Sequence, residues 1–362
     1  MKKLYQLIQE MAADTSEFKV NHSAVMEALS SSEDLLSEIT ETSAWVDSVE
    51  VMNEKITLME QYEVTLTKAI ESGEGIDRVG CEMVNDSVTT IMSQLGFPNE
   101  EITTCVTGSA AVEVLEGTKK NLSKAYAVTR ATIKAIFNAI VKFFKTFGLN
   151  AKKLVDAAKS MLIELSNTKK QADKEKWIDA QKSSNFGKYE GTPDKLIKTG
   201  MNGLKNIETF GAQLSKVDKK SPLEYLRNIV LFTKDVEKYQ FHGGKKLKQE
   251  IGKNGGSSIK VEQVEASTTP NTDLTKSNLI SGLKVAAGLN PKEIVKLSDD
   301  ADKAAKEMDK LLYTVKDDSA STAAAKSLAT NYQMLSTFML TATLAPVRDV
   351  IKLSKAYIAA TK

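Results

Sequence analysis

The sequence predicts an all-α, elongated multi-helix protein, and three observations carry that expectation. Lys, Ala, Leu, Ser, Glu and Thr dominate the 362 residues, while aromatics are only 6% and prolines number 6; this composition favours helices over sheets. Apolar residues recur at three- and four-residue spacing over long stretches, the period of one helix face. Glycine and proline fall mainly at the ends of those stretches, where they stop or start helices.

Residues 24–72 read as one or two long helices, with Val25, Leu29, Leu36, Ile39, Met52, Ile56, Met59 and Ile70 on the apolar face. Ser30, Ser31 and Ser32 before Glu33 offer a cap where that run restarts. Gly73 and Gly75 stop it, and Val79 to Leu95 forms a further helix ended by Gly96, Phe97 and Pro98. Asn99 then caps a short helix with Glu100 and Glu101 in its first turn, where carboxylates suit the dipole. From Asn121 to Phe147 a longer amphipathic helix carries Leu122, Ile133, Ile136, Phe137, Ile140, Phe143, Phe144 and Phe147 on one face. Gly148 is expected to close it, with a second amphipathic helix from Ala151 to Leu165. Gly187, Gly191-Thr192-Pro193 and Gly200 punctuate the middle, and Ser221-Pro222 signals a helix running to Tyr239. Residues 252–275 read as a flexible loop, or as a small β-hairpin with strands around Ile259–Val264. Helices resume at Lys276, restart at Asn290-Pro291, pass through the Ala-rich 301–316 and 319–344, and end in a last helix after Pro346.

Charge divides the chain more sharply than any motif. Residues 1–116 carry 6 Lys+Arg against 22 Asp+Glu, and residues 117–362 carry 43 against 25, so the overall +2 is a cancellation of −16 and +18. Such asymmetry speaks to partners and processing rather than to fold. It suggests four regions: an acidic helical 1–116 that can mask the rest, steer it, or be cut away as a propeptide, a basic helical 117–250, a linker or short hairpin 251–275, and a helical 276–362.

No catalytic signature competes with this feature. His22 and His242 are far apart and have no Cys or carboxylate cluster near either in sequence; His242, in Gln-Phe-His-Gly-Gly, reads as an exposed turn. Gly243-Gly244-Lys245-Lys246 and the glycines of 252–256 lack Walker spacing and a leading strand. The pairs Asp299-Asp300 and Asp317-Asp318 read as solvated helix ends, and Cys81 and Cys105 as small buried residues. The expectation is a non-enzymatic protein with no cofactor, no metal and no small-molecule substrate. There is no secretory signal, and no run of about 18 uninterrupted apolar residues. Tyr332 to Val347 is uncharged but rich in Thr and Ser, as a buried core helix is. The chain is expected to be soluble and made without export.

Two segments remain as candidate sites. The basic amphipathic helix 121–147 and its surroundings offer Lys119, Lys120, Lys124, Arg130, Lys134, Lys142, Lys145, Lys152 and Lys153 as contacts. Its apolar arc can pack in a bundle, insert into an anionic membrane surface, or leave the lysines to neutralise nucleic-acid phosphates without sequence preference. Packing is favoured, and membrane contact is the alternative use of the helix. The other candidate is the junction of acid and base, where Ala111-Val112-Glu113 places a small residue two before a glutamate, with Glu116 nearby, as at sites cut by prohead maturation proteases.

Val112–Gly117, followed by Ile133–Lys145 with its repeated Ile, Phe and Lys and by the basic terminal stretch Leu344–Tyr357, resembles the internal head proteins of large contractile-tailed bacteriophages. It departs from them in lacking a tryptophan beside the basic helix, since Trp45 and Trp177 lie far to either side. The resemblance implies a virion protein made in the host cytoplasm, packaged inside the capsid with DNA and with other head proteins. It further implies that a prohead protease removes the acidic region, and that the basic body is ejected with the genome. A membrane-associating effector or host-takeover protein using 121–147 is the alternative.

Overall fold

The computed structural model describes residues 22–72, 78–95, 97, 110–214, 232, 234–251, 257–269, 271–314 and 319–362. Three helices make the acidic third and the basic segment after it: α1 (His22–Glu71), α2 (Arg78–Gln94) and α3 (Ala110–Asn167). At about 1.5 Å per residue, α1 is about 75 Å long and α3 about 87 Å, so the assembly is elongated as expected. The two run antiparallel, with Glu27 of α1 at Lys153 of α3, Glu60 at Tyr126, and Leu66 beside Val114. Ser30–Ser32 does not restart α1; Ser31 Oγ instead donates to the Glu27 carbonyl one turn back, at 2.8 Å, and the helix continues.

Gly148 does not close the basic helix. A Cβ there would lie 2.5 Å from Val295 Cγ2, so this glycine lets a neighbouring helix approach while α3 runs on unbroken to Asn167. That neighbour is α8, described below. After α3 come the short α4 (Lys174–Ser183) and α5 (Asn185–Lys188), then α6 (Pro193–Leu214). Asp173 caps α4 by accepting from the N–H groups of Glu175 and Lys176. Pro193 opens α6, but Gly200 lies inside it.

A 3-10 turn at Lys234–Lys238 leads into the antiparallel hairpin β1 (Lys245–Ile251) and β2 (Ser257–Gln263), with Lys245 opposite Gln263. Gly243 and Gly244 supply the positive φ angles of 75° and 70° that the entry to β1 requires. The hairpin begins before residue 252 and is pinned to the bundle by Leu247 and Ile259, both buried. The Ile259 N–H also donates to Asn331 Oδ1 at 3.1 Å.

Thr275 and Asn278 form a capping box for α7 (Lys276–Ala287), and Asn290 Oδ1 accepts from the Lys292 N–H to start α8 (Pro291–Thr314). Asp299 and Asp300 therefore sit inside α8 rather than at a helix end. The last helix, α9 (Ser319–Ala359), passes through Pro346 instead of breaking there. Pro346 has no N–H for the Ala342 carbonyl. Gly200 of α6 packs against that spot so closely that a Cβ would lie 2.4 Å from Ala342 O.

The principal core forms where α9 meets α3, α6 and α7. Phe137, Phe144, Phe147, Tyr332, Met339 and Val347 are all essentially inaccessible there, and the Phe137 and Tyr332 rings lie 5.7 Å apart. Each such side chain contributes roughly 1.5–3 kcal/mol through burial. Ser327–Ala359 has the length and mean hydropathy of a membrane span, yet it supplies the middle of this core. A second cluster joins Ile56 and Met59 of α1 and Met92 of α2 to Leu122 and Tyr126 of α3. A third holds Leu66, buried Cys81 and Val114. Among the described residues, the apolar side chains of α1 and α2 in these two clusters thus pack against the basic helix.

The short helix expected after Asn99 lies outside the described residues, as do most of the one expected from Ser221, Cys105, Asp317-Asp318 and the 252–256 tip.

Candidate functional site

All nine basic residues singled out from the sequence lie on α3, and the helix sorts them by direction. Stepping about 100° per residue, Lys120, Lys124, Lys134, Lys142, Lys145 and Lys152 fall within about 40° of one line along the helix. Lys124 is half-buried and the other five are exposed. Ala127, Ala131, Asn138 and Leu149 share the line and are also exposed, so the whole stripe faces solvent. From Lys120 to Lys152 it spans about 48 Å, and α3 has no acidic residue between Glu116 and Asp156. Lys119, Arg130 and Lys153 lie off the stripe.

Neighbouring helices temper the charge at three points. Lys134 pairs with Asp309 of α8 at 3.0 Å. Lys145 adds its field at Asp302, whose carboxyl sits below its ordinary range chiefly through the hydrogen bond from Lys306. Lys153 pairs with Glu27 of α1 at 2.8 Å, and that hydrogen bond is the main cause of the lowered Glu27 carboxyl. Lys119, Lys120, Lys142 and Lys152 form no ion pair among the described residues.

The opposite face of α3 is fully used. Phe143 is 5% exposed, and Phe137, Phe144 and Phe147 are at most 1%. In this fold the aromatic face needed for membrane insertion is therefore core, and packing, the favoured reading of the apolar arc, is what the structure contains.

At the junction of acid and base, residues 110–117 form the first two turns of α3. Val112 is 44% exposed, Glu113 and Glu116 are exposed, and Val114 between them is buried under Leu66 and Cys81. The backbone of Ala111 is helical like that of its neighbours. Protease engagement of an extended chain here requires those two turns to open locally, a low-cost event at a helix end.

One polar cluster had no sequence signal. His242 is buried, not exposed as its glycine-rich neighbourhood suggests; its Nε2 lies 2.8 Å from Asp349 Oδ2, and its ring lies 4.7 Å from that of Phe186. Asn185 Nδ2 donates to the same Asp349 oxygen at 2.9 Å, and Arg348 contacts Oδ1 at 3.3 and 3.4 Å. Burial pushes the Asp349 carboxyl up, but the hydrogen bond from His242, the His242 and Arg348 charges and the Asn185 bond together hold it below the usual range. The partners are 107 and 164 positions apart, so only tertiary packing brings them together. Among the described residues no His, Cys, Asp and Glu side chains gather as a metal site requires.

The family model of phiKZ-like phage internal head proteins matches residues 21–276. The chain belongs to this family. It is accordingly a phage internal head structural protein, located inside the virion capsid among other capsid components. The matched span of this internal head protein takes in both the acidic helices and the basic α3, so the charge switch lies within the family unit. No curated protein and no solved structure matches the chain.

Proposed function

We propose that this internal head protein is packaged in contact with DNA, and that the lysine stripe of α3 makes the contact. The observation that carries this reading is the stripe itself: five exposed lysines and a half-buried sixth over about 48 Å of rigid helix, with no carboxylate of α3 among them. A straight row of ammonium groups neutralises phosphates and releases counterions without reading bases. That suits a protein packed against a whole genome.

The acidic region supports a masking role. α1 lies along α3, its Glu27 holds Lys153, and residues 1–116 carry the −16 that balances the body. In the precursor this charge keeps the protein away from host nucleic acid. A prohead protease then cuts near Ala111–Glu116, and the basic remainder stays with the DNA and leaves the capsid with it. The non-enzymatic reading rests on membership in a structural head-protein family.

Two measurements test this. Binding of the protein recovered from mature virions to random-sequence duplex DNA is expected to fall steeply with salt, and the full chain, with its acidic region in place, is expected to bind more weakly. Replacing Lys120, Lys142, Lys145 and Lys152 by Gln is expected to lower the slope of log K against log salt by about 3–4, with the far-UV CD spectrum unchanged. An unaltered slope removes the stripe from the contact. For processing, mass spectrometry of mature virions is expected to give an N-terminus between residues 112 and 118; an intact chain beginning at Met1 refutes cleavage.

A further inference from the structure

A cavity of about 630 Å³ opens between α9, the loop entering β1 and the α5 turn. This size falls within the range of ordinary small-ligand pockets. Its polar lining comprises His242, Lys245, Arg348, Asn185 and Tyr189 with the hydroxyl residues Thr337 and Thr341, and among the described residues no Asp or Glu takes part. The remaining wall is apolar, with Val261, Met334, Phe338, Ala342 and Ala345.

Three of the polar groups have unused capacity. Lys245 has no ion-pair partner among the described residues. Arg348 directs Nε and Nη2 at a single Asp349 oxygen, leaving the rest of its fork without a partner among the described residues. His242 Nδ1 is buried and has no hydrogen-bond partner among the described residues, while the other ring nitrogen is fixed by Asp349. Asp349 stands behind the wall and orients His242 and Arg348 together, as a supporting carboxylate orients ligand-binding groups. The turn itself is bare at the cavity: a Cβ on Gly243 would meet nothing within 4 Å.

We propose that this cavity binds a phosphomonoester carried on a flat apolar body, the chemistry of a mononucleotide. Lys245 and the free side of Arg348 take the phosphate oxygens, since a guanidinium fork and an ammonium group together match a multiply charged tetrahedral anion. Phe338 and Met334 receive the flat body. Asp349 and Asn185 are positioning residues. The site is separate from the α3 stripe and independent of whether the stripe binds DNA.

The test is calorimetric titration of the full-length protein with thymidine 5′-monophosphate, inorganic phosphate and thymidine as probes. Saturable one-site binding of the monophosphate is expected with Kd below about 1 mM, with thymidine and inorganic phosphate each at least about ten-fold weaker. Lys245→Gln and Arg348→Gln are each expected to weaken the monophosphate by about ten-fold or more. Lys245 is half-buried in a strand end, so its variant keeps the test valid even where loss of Arg348 disturbs folding. The quadruple Lys→Gln variant of the α3 stripe is expected to bind the monophosphate as the parent does. No saturable binding of any probe up to about 10 mM, unchanged affinity in Lys245→Gln, or loss of binding in the stripe variant each overturns the proposal.

Discussion

Replacing Gly200 by Ala sets two local effects against each other, and the structure decides the sign. Gly200 lies inside α6 with ordinary helical backbone, so propensity alone favours Ala by about 1 kcal/mol. The added methyl, however, would lie 2.4 Å from Ala342 O, 2.8 Å from Thr343 Cα and 2.9 Å from Ala342 C, all backbone atoms of α9. Ordinary contacts start near 3.5 Å, so α6 and α9 must separate by roughly 1 Å. Overpacking of this kind costs about 1–3 kcal/mol or more, and separation also loosens Leu196 and Ile197 in the principal core. We expect Gly200→Ala to be destabilised by about 1–2 kcal/mol net, lowering Tm by about 1–3 °C for a chain of this length. Gly148→Ala is the control. The three nearest atoms to its methyl would all belong to Val295, a residue that is 43% exposed and whose side chain can turn away, so stability should stay within about 1 kcal/mol of the parent. Urea unfolding followed by far-UV CD measures both. A Gly200→Ala protein as stable as the parent, or ranked above Gly148→Ala, refutes the close-approach reasoning.

Phe144→Ala empties a fully buried site on the inner face of α3, and urea unfolding should show a loss of about 3–5 kcal/mol. A loss below 1 kcal/mol would mean that this face is not core. Asp349→Asn leaves His242 and Arg348 without their buried anion and should cost about 2–3 kcal/mol at neutral pH. Because the folded Asp349 carboxyl lies below its unfolded value, its contribution is complete above pH of about 4 and lost as pH falls through the lower folded value. The parent's urea midpoint should therefore fall more steeply below pH of about 4 than that of Asp349→Asn. Identical pH profiles would show that Asp349 carries no such linkage. Glu27→Gln removes the exposed pair with Lys153 and should leave Tm unchanged.

Helices were legible in the sequence because their signals are local. The spacing of Val25, Leu29, Ile56 and Met59 indicated α1, and the Asn290-Pro291 start of α8 appears where its capping chemistry places it. The hairpin was legible as one of two readings of a glycine-rich stretch. Gly148, Gly200 and Pro346 misled for one common reason. Each breaks helices in isolation, yet here each sits where another helix comes close or where a missing backbone bond is tolerated by the packing around it. His242 misled in the same way, because Asp349 and Asn185 reach it only through the fold.

The sequence alone determined the helical class, the acid-to-base switch near residue 116 and the apolar identity of the inner face of α3, since propensity, charge and periodicity are properties of neighbours along a chain. Only the tertiary structure decided that the phenylalanines are core, that the lysines form a straight outward stripe, that the acidic α1 lies along the basic helix, and that His242 faces a buried carboxylate. Those facts depend on which distant segments meet, and burial and pairing energies act through space, not along the chain.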